Sequence, residues 1–235
     1  MSCQADVLAF GAHADDVEIG MAASIAKWAS LGKRIVICDL TEAELSSNGT
    51  VDTRKAEAQK SAGILGVAER ITLQLPDRGL FMKTEYLRQI TGVIRAYKPG
   101  VVFAPFHQDR HPDHGHCGNM VEEAFFSSGI RKYRSDPEKE AYKPKHLYFY
   151  MVNGFHEPDF VVDVSDFIEK KIESLKAYGS QFDLRDGAVK TPLTDGYIET
   201  VLARERIFGK ELGIRYAEGF LSKKPLLVNL DVLHL

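Results

Sequence analysis

The sequence predicts a Rossmann-like α/β fold, in which a mainly parallel sheet carries helices on both faces. Short apolar runs alternate with segments of helical periodicity four times within roughly the first 125 residues, the pattern of a parallel sheet covered by helices. Polar residues directly follow the first apolar run and lead into a helical pattern, and open α/β sheets place their ligands at such junctions. With 235 residues, 44% of them hydrophobic, the chain can bury one substantial core. We therefore expect a single domain over residues 1–235.

Four strands and three helices are predicted in the first 105 residues. The strands are short apolar runs at 7–10, 34–40, 70–75 and 101–105. Apolar residues recur at helical spacing over about 19–31, 53–65 and 87–97. Gly32 and Gly66 end the first two helices, and Lys98-Pro99-Gly100 ends the third. The polar loop at 41–52 follows the second strand and is expected on the same edge of the sheet as the end of the first.

The second half of the chain carries fewer regular signals. Apolar runs predict strands at 146–150 and 160–162, and helical spacing predicts helices around 168–175 and 198–208. The segment 179–196 has scattered Gly, Pro and Asp, and a loop of this length in a compact domain is often functional or else mobile. The tail at 225–233 is so apolar that we expect it to be buried, either in the core or in a contact between subunits. We expect a homo-oligomer on the basis of this tail, together with what the family resemblance described below implies.

Composition excludes several classes of protein. The formal net charge is −3 and no long Lys/Arg block occurs, which argues against nucleic-acid and membrane-surface binding. Cys3, Cys38 and Cys117 lack metal-type pair spacing, and we expect all three to be reduced. The N-terminus does not resemble a signal peptide, and no apolar stretch approaches the ~20 residues needed to span a bilayer. The expected location is the cytoplasm.

The first candidate site is the stretch Ala-His-Ala-Asp-Asp-Val-Glu-Ile-Gly at 12–20, which follows the first predicted strand. His13 and Asp16 are three residues apart at this turn, so both side chains can point the same way, and both are good ligands for a divalent metal. Asp15 is a second carboxylate that a simple metal site would not require. The alternative is an acidic helix N-cap with an incidental histidine.

A second cluster follows the fourth strand and has four histidines within residues 107–116. In a doubly wound sheet it lies on the same edge as the first motif, so it can complete a set of two imidazoles and one carboxylate with an open position. Such a set suits zinc, and it also fits ferrous iron. His114 is the expected third ligand because it stands at the mouth of the next helix. His107 and His116 are expected to support the site or lie at the surface.

The acidic stretch at 12–20 and the histidine cluster together resemble a known family of proteins, and the pair of motifs is more specific than either one alone. The stretch at 12–20, paired with His-Pro-Asp-His at 111–114, resembles the LmbE-like zinc-dependent deacetylases of N-acetylglucosamine conjugates. Arg54, the late Glu218-Gly219-Phe220 and the order of elements agree with it over most of the chain. Ala14 is a departure, since many relatives carry proline there, but it affects the rigidity of the turn and no ligand.

The resemblance implies a role for each site residue. By motif position it implies one Zn²⁺ per chain, with Fe²⁺ as the other option, bound by His13, Asp16 and His114. It places the general base at Asp15 and a second catalytic histidine at His111, supported by Asp113. It also implies a small-molecule N-acetylglucosaminide substrate, with N-acetylglucosaminyl-malate of bacillithiol biosynthesis expected.

Amide hydrolysis supports these roles on chemical grounds. The reaction needs an activated water, stabilisation of a tetrahedral oxyanion and a proton for the departing amine. Asp15 can take the proton of the water and return it to nitrogen. A protonated His111 can hydrogen-bond the oxyanion, and Asp113 would hold its tautomer. The alternatives are that Asp15 is only an N-cap and that His111 is a fourth, inert ligand.

Two further residues are candidates for substrate binding. Arg54 follows the loop that ends the second strand, so its guanidinium is expected at the functional edge, where it suits a carboxylate or sugar hydroxyls. Tyr197 follows the long loop and can reach the same site.

Two kinds of rival function fit the sequence. The first is the same deacetylation on an inositol conjugate or a chitin fragment, and the second is a nucleotide-binding module with a structural metal. Against the last, no Gly-x-Gly-x-x-Gly follows the first strand.

Overall fold

The computed structural model of the protein describes residues 4–226, which form seven strands, seven α-helices and one 3₁₀ turn. The strands are β1 Val7–Gly11, β2 Ile35–Thr41, β3 Glu69–Leu75, β4 Val101–Pro105, β5 His146–Tyr150, β6 Phe160–Asp163 and β7 Ala217–Leu221. The helices are α1 Asp16–Ser30, α2 Val51–Leu65, α3 Thr84–Tyr97, α4 Pro112–Ser128, α5 Ile168–Lys176, α6 Gly179–Phe182 and α7 Tyr197–Glu211, with the 3₁₀ turn at Pro192–Thr194.

The strands form one sheet in the order β3-β2-β1-β4-β5-β7-β6. Strands β1 to β5 are parallel, whereas β7 pairs antiparallel with both β5 and β6. The predicted mainly parallel α/β fold is therefore confirmed. Strand β7 is an addition that the apolar pattern did not predict, because Glu218 and Gly219 interrupt a run that is nevertheless buried.

The sheet is buried on both faces, and neighbouring residues of each central strand enter opposite cores. In β1, Val7 and Ala9 pack with residues of α1, α2 and α5, whereas Leu8 and Phe10 pack with residues of α3 and α4. Alternation of this kind follows from the two-residue period of a strand. Near-continuous apolar strands such as β2, whose seven residues are all buried, are typical of parallel sheets.

Helix α1 is interrupted after its first turn. Met21 has φ −152° and ψ 21°, so the helix consists of two segments that meet at a break. Gly20, next to the break, lies against the buried ring of Tyr150, whose hydroxyl donates to the Phe10 carbonyl at 2.7 Å. A Cβ at position 20 would overlap that ring. Glycine is therefore required here for the close approach of α1 to β5.

Some expectations fall partly or wholly outside the described residues. Most of the apolar tail, and with it the basis for a homo-oligomer, lies beyond residue 226, so oligomerisation stays a prediction. Cys38 and Cys117 are buried free thiols, as expected, while Cys3 is not among the described residues. Within residues 4–226, no helix is both long and apolar enough to cross a membrane.

The close approach at Gly20 makes a first prediction. Gly20→Ala should lower the free energy of unfolding by about 1–3 kcal/mol, because the added methyl group overpacks the site against Tyr150. The matched control is Gly63→Ala in α2, where a Cβ meets nothing within 4 Å. Alanine there should raise stability by about 0.5–1 kcal/mol. Urea denaturation of both variants is the measurement, and equal effects of the two would contradict the packing argument.

Candidate metal-dependent active site

The candidate site lies at the carboxyl ends of β1 and β4, where the strand order changes direction. These strands are neighbours, and their following helices cover opposite faces of the sheet. In open α/β sheets such a switch point forms the ligand crevice. A cavity of about 300 Å³ opens here, and the predicted site residues His13, Asp15, Asp16, Arg54, His111, His114 and Tyr197 all line it. Its walls also include the loop after β2 and parts of the segment 179–196.

The turn between β1 and α1 is held by its own carboxylate. Asp16 Oδ2 accepts hydrogen bonds from the backbone N–H groups of Ala12 and His13 at 2.9 and 3.0 Å. Asp15, the N-cap of α1, has a φ of 115°, a conformation that costs about 1–3 kcal/mol for a residue other than glycine. Arg54 Nη2 offsets this strain by donating to the Ala14 carbonyl and to Asp15 Oδ2. The strained turn aims both carboxylates into the cleft.

The second motif begins helix α4. His111 is the N-cap, and its Nδ1 accepts a hydrogen bond from the backbone N–H of Asp113 at 3.3 Å. His114 lies in the first turn of the same helix. The rings of His111 and His114 stack with centroids 4.7 Å apart, and the His13 ring lies 4.9 Å from that of His111. The two motifs, about 100 residues apart in sequence, thus meet across the cleft.

These side chains form a donor set that fits a divalent metal. Donor atoms of His13, His111 and His114 lie within 4.8 Å of one another. Asp16 lies next to two members of this group, since its Oδ1 is 3.1 Å from His114 Nε2 and its Oδ2 is 3.7 Å from His13 Nδ1. Buried imidazoles and a carboxylate are the ligands that zinc and ferrous iron prefer. His111 belongs to this group, so a role as a metal ligand and a role toward substrate both fit its position.

Carboxylates other than Asp16 orient the rings of His13 and His114. His13 Nε2 lies 3.2 Å from Asp77 Oδ1 and 3.6 Å from Asp113 Oδ2, which leaves Nδ1 on the side of Asp16. His114 Nδ1 lies 3.0 Å from Asp109 Oδ1, which leaves Nε2 on the side of Asp16. Carboxylates that hold the second nitrogen in this way fix the ring orientation of metal-binding histidines.

The electrostatics of the cleft follow from burial and these pairs. Burial alone lowers the pKa of His114, but the carboxylates of Asp16 and Asp109 outweigh it and raise that pKa to about 9. Burial raises the pKa of Asp15 to about 6 although Arg54 opposes this shift. Burial, with the neighbouring His114 and His13, lowers the pKa of His111 to about 4. The carboxylates thus favour the charged form of His114, whereas the lowered pKa of His111 favours its neutral ring and not the protonated ring expected from the sequence.

Asp113 occupies a different place from the one expected for it. Its carboxylate accepts from the backbone N–H and Nη1 of Arg78 at 2.8 and 3.0 Å and lies near His13. What it contributes to His111 is its backbone N–H. Because Nδ1 of His111 accepts that hydrogen bond, the ring proton of neutral His111 is on Nε2. The proposed control of the His111 tautomer thus comes from the backbone of Asp113.

Arg54 and Tyr197, the two candidate substrate residues, both line the cleft. The Arg54 side chain is buried and is paired with Asp15 at 3.1 Å. Among the described residues its Nε and Nη1 have no hydrogen-bond partner. The Tyr197 hydroxyl donates to Asn153 Oδ1 at 2.9 Å and lies 3.1 Å from the Val152 carbonyl.

The sequence argument did not find three polar residues of the site. Asp77 follows β3, Asp109 follows β4, and Asn153 follows β5 and donates its amide to Asp109 at 2.9 Å. For Asp77 the signal was present, because a polar turn after a parallel strand falls on the ligand edge of the sheet. Asp109 was part of the histidine cluster that was considered. Asn153 carried the same signal as Asp77, because it follows β5, which is parallel to β4.

The fold and the cluster define the class of protein: an α/β protein with a buried set of side chains that could hold a metal and an additional carboxylate at the switch point of the sheet. Residues 8–125, about half of the chain, match the family described as GlcNAc-PI de-N-acetylase, or PIG-L. The chain belongs to this family of N-deacetylases. The resemblance of the two sequence motifs to LmbE-like deacetylases is thereby confirmed.

Individual relatives support the membership along the whole chain. Diacetylchitobiose deacetylase from Thermococcus kodakarensis is 30% identical over 225 residues, covering 91% of this chain and 81% of that protein. A probable N-acetyl-alpha-D-glucosaminyl L-malate deacetylase 2 from Bacillus anthracis is 29% identical over 162 residues, covering 65% of this chain and 66% of that protein. The crystal structure of the conserved protein TT1542 from Thermus thermophilus superposes with a TM-score of 0.88 at 34% identity, covering 96% and 98% of the two chains.

The cluster makes a prediction about metal content. His114→Ala should abolish binding of zinc, because it removes one imidazole from a buried set and leaves Asp16 without its partner at 3.1 Å. The matched control is His107→Ala, in the same segment but outside the cleft lining, which should keep its metal. Metal per chain measured by mass spectrometry checks both variants. Full occupancy in His114→Ala would remove His114 from the ligand set.

Proposed function

We propose that the protein removes the acetyl group from the nitrogen of an N-acetylglucosamine conjugate, with N-acetylglucosaminyl-malate as the expected substrate. The products are acetate and glucosaminyl-malate. The observation that carries this proposal is Asp15, a buried carboxylate that lines the cleft beside the metal-ligand group without belonging to it. A metal with a purely structural role would not need such a group. The cleft volume of about 300 Å³ suits a small ligand.

We assign the metal to His13, Asp16 and His114, with one Zn²⁺ per chain and Fe²⁺ as the other candidate. Two imidazoles and one carboxylate leave a position open, as catalytic sites do. When bound, the metal supplies Lewis acidity, which polarises a carbonyl group and lowers the pKa of a water molecule to about 7. The distances among the three side chains and their burial support this assignment.

Asp15 is the proposed general base. It accepts a proton from the attacking water, which then forms the new bond to the acetyl carbon. The hydrogen bond from Arg54 Nη2 to Asp15 Oδ2, at 3.1 Å, fixes the orientation of the carboxylate and leaves Oδ1 for the water. Asp15 later returns the proton to the departing nitrogen as the C–N bond breaks. The same carboxylate thus supplies both proton transfers.

His111 is the proposed donor to the oxyanion. Its Nδ1 accepts the Asp113 backbone N–H, so the proton on Nε2 is free to point into the cleft. A preorganised donor aimed at the developing charge is worth more in a buried cleft than in water. This role needs only the neutral ring with its proton on Nε2, a form that the lowered pKa of His111 favours. A fourth-ligand role is the alternative for this residue.

Arg54 is the proposed contact to the anionic part of the substrate. The residue is 2% exposed, and its guanidinium lines the cleft beside Asp15. Its positive charge and planar set of donors suit a carboxylate of a ligand. Malate offers two carboxylates, whereas a second sugar offers hydroxyls. Tyr197, which also lines the cleft, is the proposed contact to the sugar.

The second candidate substrate is diacetylchitobiose, favoured by the relative from Thermococcus kodakarensis. The test is acetate release by the zinc-loaded protein from N-acetylglucosaminyl-malate, diacetylchitobiose and N-acetylglucosamine. We expect kcat/KM to be highest for the malate conjugate. A higher kcat/KM for diacetylchitobiose would show that the group attached to N-acetylglucosamine is a sugar and not malate. Failure to release acetate from any of the three substrates would overturn the proposed function.

An Arg54→Lys variant adds a second arm to this experiment. Lysine keeps a positive charge beside Asp15 but lacks the planar fork of donors. A charge-assisted contact is worth roughly 1.5–3 kcal/mol, so KM for the malate conjugate should rise about ten- to a hundredfold. KM for N-acetylglucosamine should change little. Equal losses on both substrates would show that Arg54 acts only by holding Asp15.

The role of Asp15 makes a separate prediction. Asp15→Asn should keep the fold and the metal but lower kcat by ~10²–10⁴-fold, because an amide cannot accept the proton. The control is Asp52→Asn in the exposed first turn of α2, which should leave kcat unchanged. Kinetics are measured on protein of verified metal content. A metal-replete Asp15→Asn variant with near-normal kcat would exclude Asp15 as the base.

A further inference from the structure

The break in α1 leaves backbone groups without helical partners, and two distant elements bond to them. In an uninterrupted helix the N–H of Ala23 donates to the carbonyl of Ile19, and the N–H of Ser24 to that of Gly20. Here both N–H groups donate to the Glu218 carboxylate of β7, at 3.1 and 2.7 Å. The Ile19 carbonyl accepts from Arg204 Nη2 of α7 at 3.1 Å. Side chains from β7 and α7 therefore cap the two helical segments at the break.

Arg204 also reaches the other half of the cleft. Its Nη1 donates to the Val152 carbonyl at 3.2 Å, in the segment that follows β5. The next residue, Asn153, donates through its side chain to Asp109 Oδ1 at 2.9 Å. Asp109 Oδ1 lies 3.0 Å from His114 Nδ1. One guanidinium thus joins the helix turn that carries Asp15 and Asp16 to the chain of contacts that ends on His114.

A buried group of alternating charges holds this guanidinium in place. Arg204 Nη2 lies 3.2 Å from Glu205 Oε1, which accepts from Lys171 Nζ of α5 at 2.7 Å. Lys171 Nζ also donates to Glu218 Oε1 at 2.7 Å. The side chains of Lys171, Glu205 and Glu218 are 0%, 1% and 0% exposed. We call Arg204, Glu205, Lys171 and Glu218 the buried quartet; its formal charges cancel.

The burial of the quartet is not explained by stability alone. Apolar residues of similar volume commonly stabilise a core as well as a buried ion pair does, because ions lose their hydration. What the quartet provides is directed hydrogen bonds to four backbone groups, the N–H of Ala23 and Ser24 and the carbonyls of Ile19 and Val152. Apolar side chains cannot make these bonds, and the break in α1 would then leave buried backbone groups without partners.

We propose that the buried quartet is a positioning device, in which Arg204 sets the separation between the His13–Asp16 half and the His114 half of the metal-ligand cluster. None of its four residues lines the cleft, so each acts through the backbone that it holds. The proposal rests on the proposed function only in requiring that the cluster binds a divalent metal.

The test is Arg204→Lys, which keeps a positive charge beside Glu205 but loses the forked donor. A single ammonium group cannot reproduce the two hydrogen bonds that the guanidinium donates to the carbonyls of Ile19 and Val152. Residues that orient metal ligands typically contribute 10–100-fold to metal affinity, and we expect a loss of this order in the Zn²⁺ dissociation constant. It is measured by competition with a chromophoric chelator. The visible absorption spectrum of the Co²⁺-loaded protein should change as well, because it reports ligand geometry.

The matched control is Arg95→Lys. Arg95 is also a buried arginine, and its guanidinium also donates to backbone carbonyls, including those of Ser128, Ile130 and Tyr133, at the far end of α4 from His114. Its replacement should lower the melting temperature but leave Zn²⁺ affinity and the Co²⁺ spectrum unchanged. The contrast separates positioning from general stability, because both variants disturb a buried guanidinium.

Glu218→Gln gives a second route if Arg204→Lys fails to fold. Glutamine keeps the shape and one acceptor oxygen but removes the charge that Lys171 neutralises and one of the bonds that cap the break. It should also weaken Zn²⁺ binding and alter the Co²⁺ spectrum. Unchanged affinity and spectrum in a folded Arg204→Lys or Glu218→Gln variant would overturn the proposal. Both readouts need no substrate, so they are independent of whether the proposed deacetylation is found.

Discussion

The structure depends on one electrostatic constraint: three carboxylates are buried within four consecutive residues where β1 meets α1. Asp15, Asp16 and Glu18 are all nearly inaccessible to solvent. Buried charges of one sign must be matched by partners, since an unpaired ion in the interior is very costly. Arg54 of α2 pairs with Asp15, and Arg70 of β3 pairs with Glu18 at 2.5 Å. A histidine of α4 pairs with Asp16.

This constraint connects the fold with the site. Each partner comes from a different element, so neutralising the acidic turn brings α2, β3 and α4 to the same end of β1. Glu18 also accepts from Ser61 and Tyr178, so α2 and the segment before α6 are tied to the same point. A bound divalent cation would add its charge at the place where the carboxylates are most concentrated. The acidic turn therefore helps to assemble the domain, and it is also the place where the proposed metal would find the most negative charge.

Helix α1 reconciles two packing requirements through its break. Its first turn carries the acidic residues toward the cleft, whereas its second segment packs its apolar residues, such as Ile25, against the sheet. A straight helix imposes one direction on both parts. Gly20 lets the first turn approach the ring of Tyr150, and Arg204 and Glu218 satisfy the backbone groups that the break exposes. The break thus lets the first turn place its acidic residues at the cleft independently of how the second segment packs in the core.

The sequence by itself determined the features whose cause is local. Strand and helix alternation follows from periodicity, and the pairs His13–Asp16 and His111–His114 lie within one turn, so their proximity needs no tertiary contact. Their meeting could be inferred as well, because the carboxyl ends of parallel strands share one edge. The partners of these residues could not be inferred. Strand β7 was hidden by Glu218 and Gly219, whose polarity and small size have meaning only beside α1.

Only the tertiary structure decided which carboxylate holds which histidine. Asp113 is two residues from His111, yet its carboxylate contacts Arg78 and His13, because the loop after β3 packs across the start of α4. Long-range pairs of this kind depend on side-chain directions and distances that arise only once the sheet has been assembled. Spacing along the chain specifies which residues share a turn, and packing specifies which turns face each other.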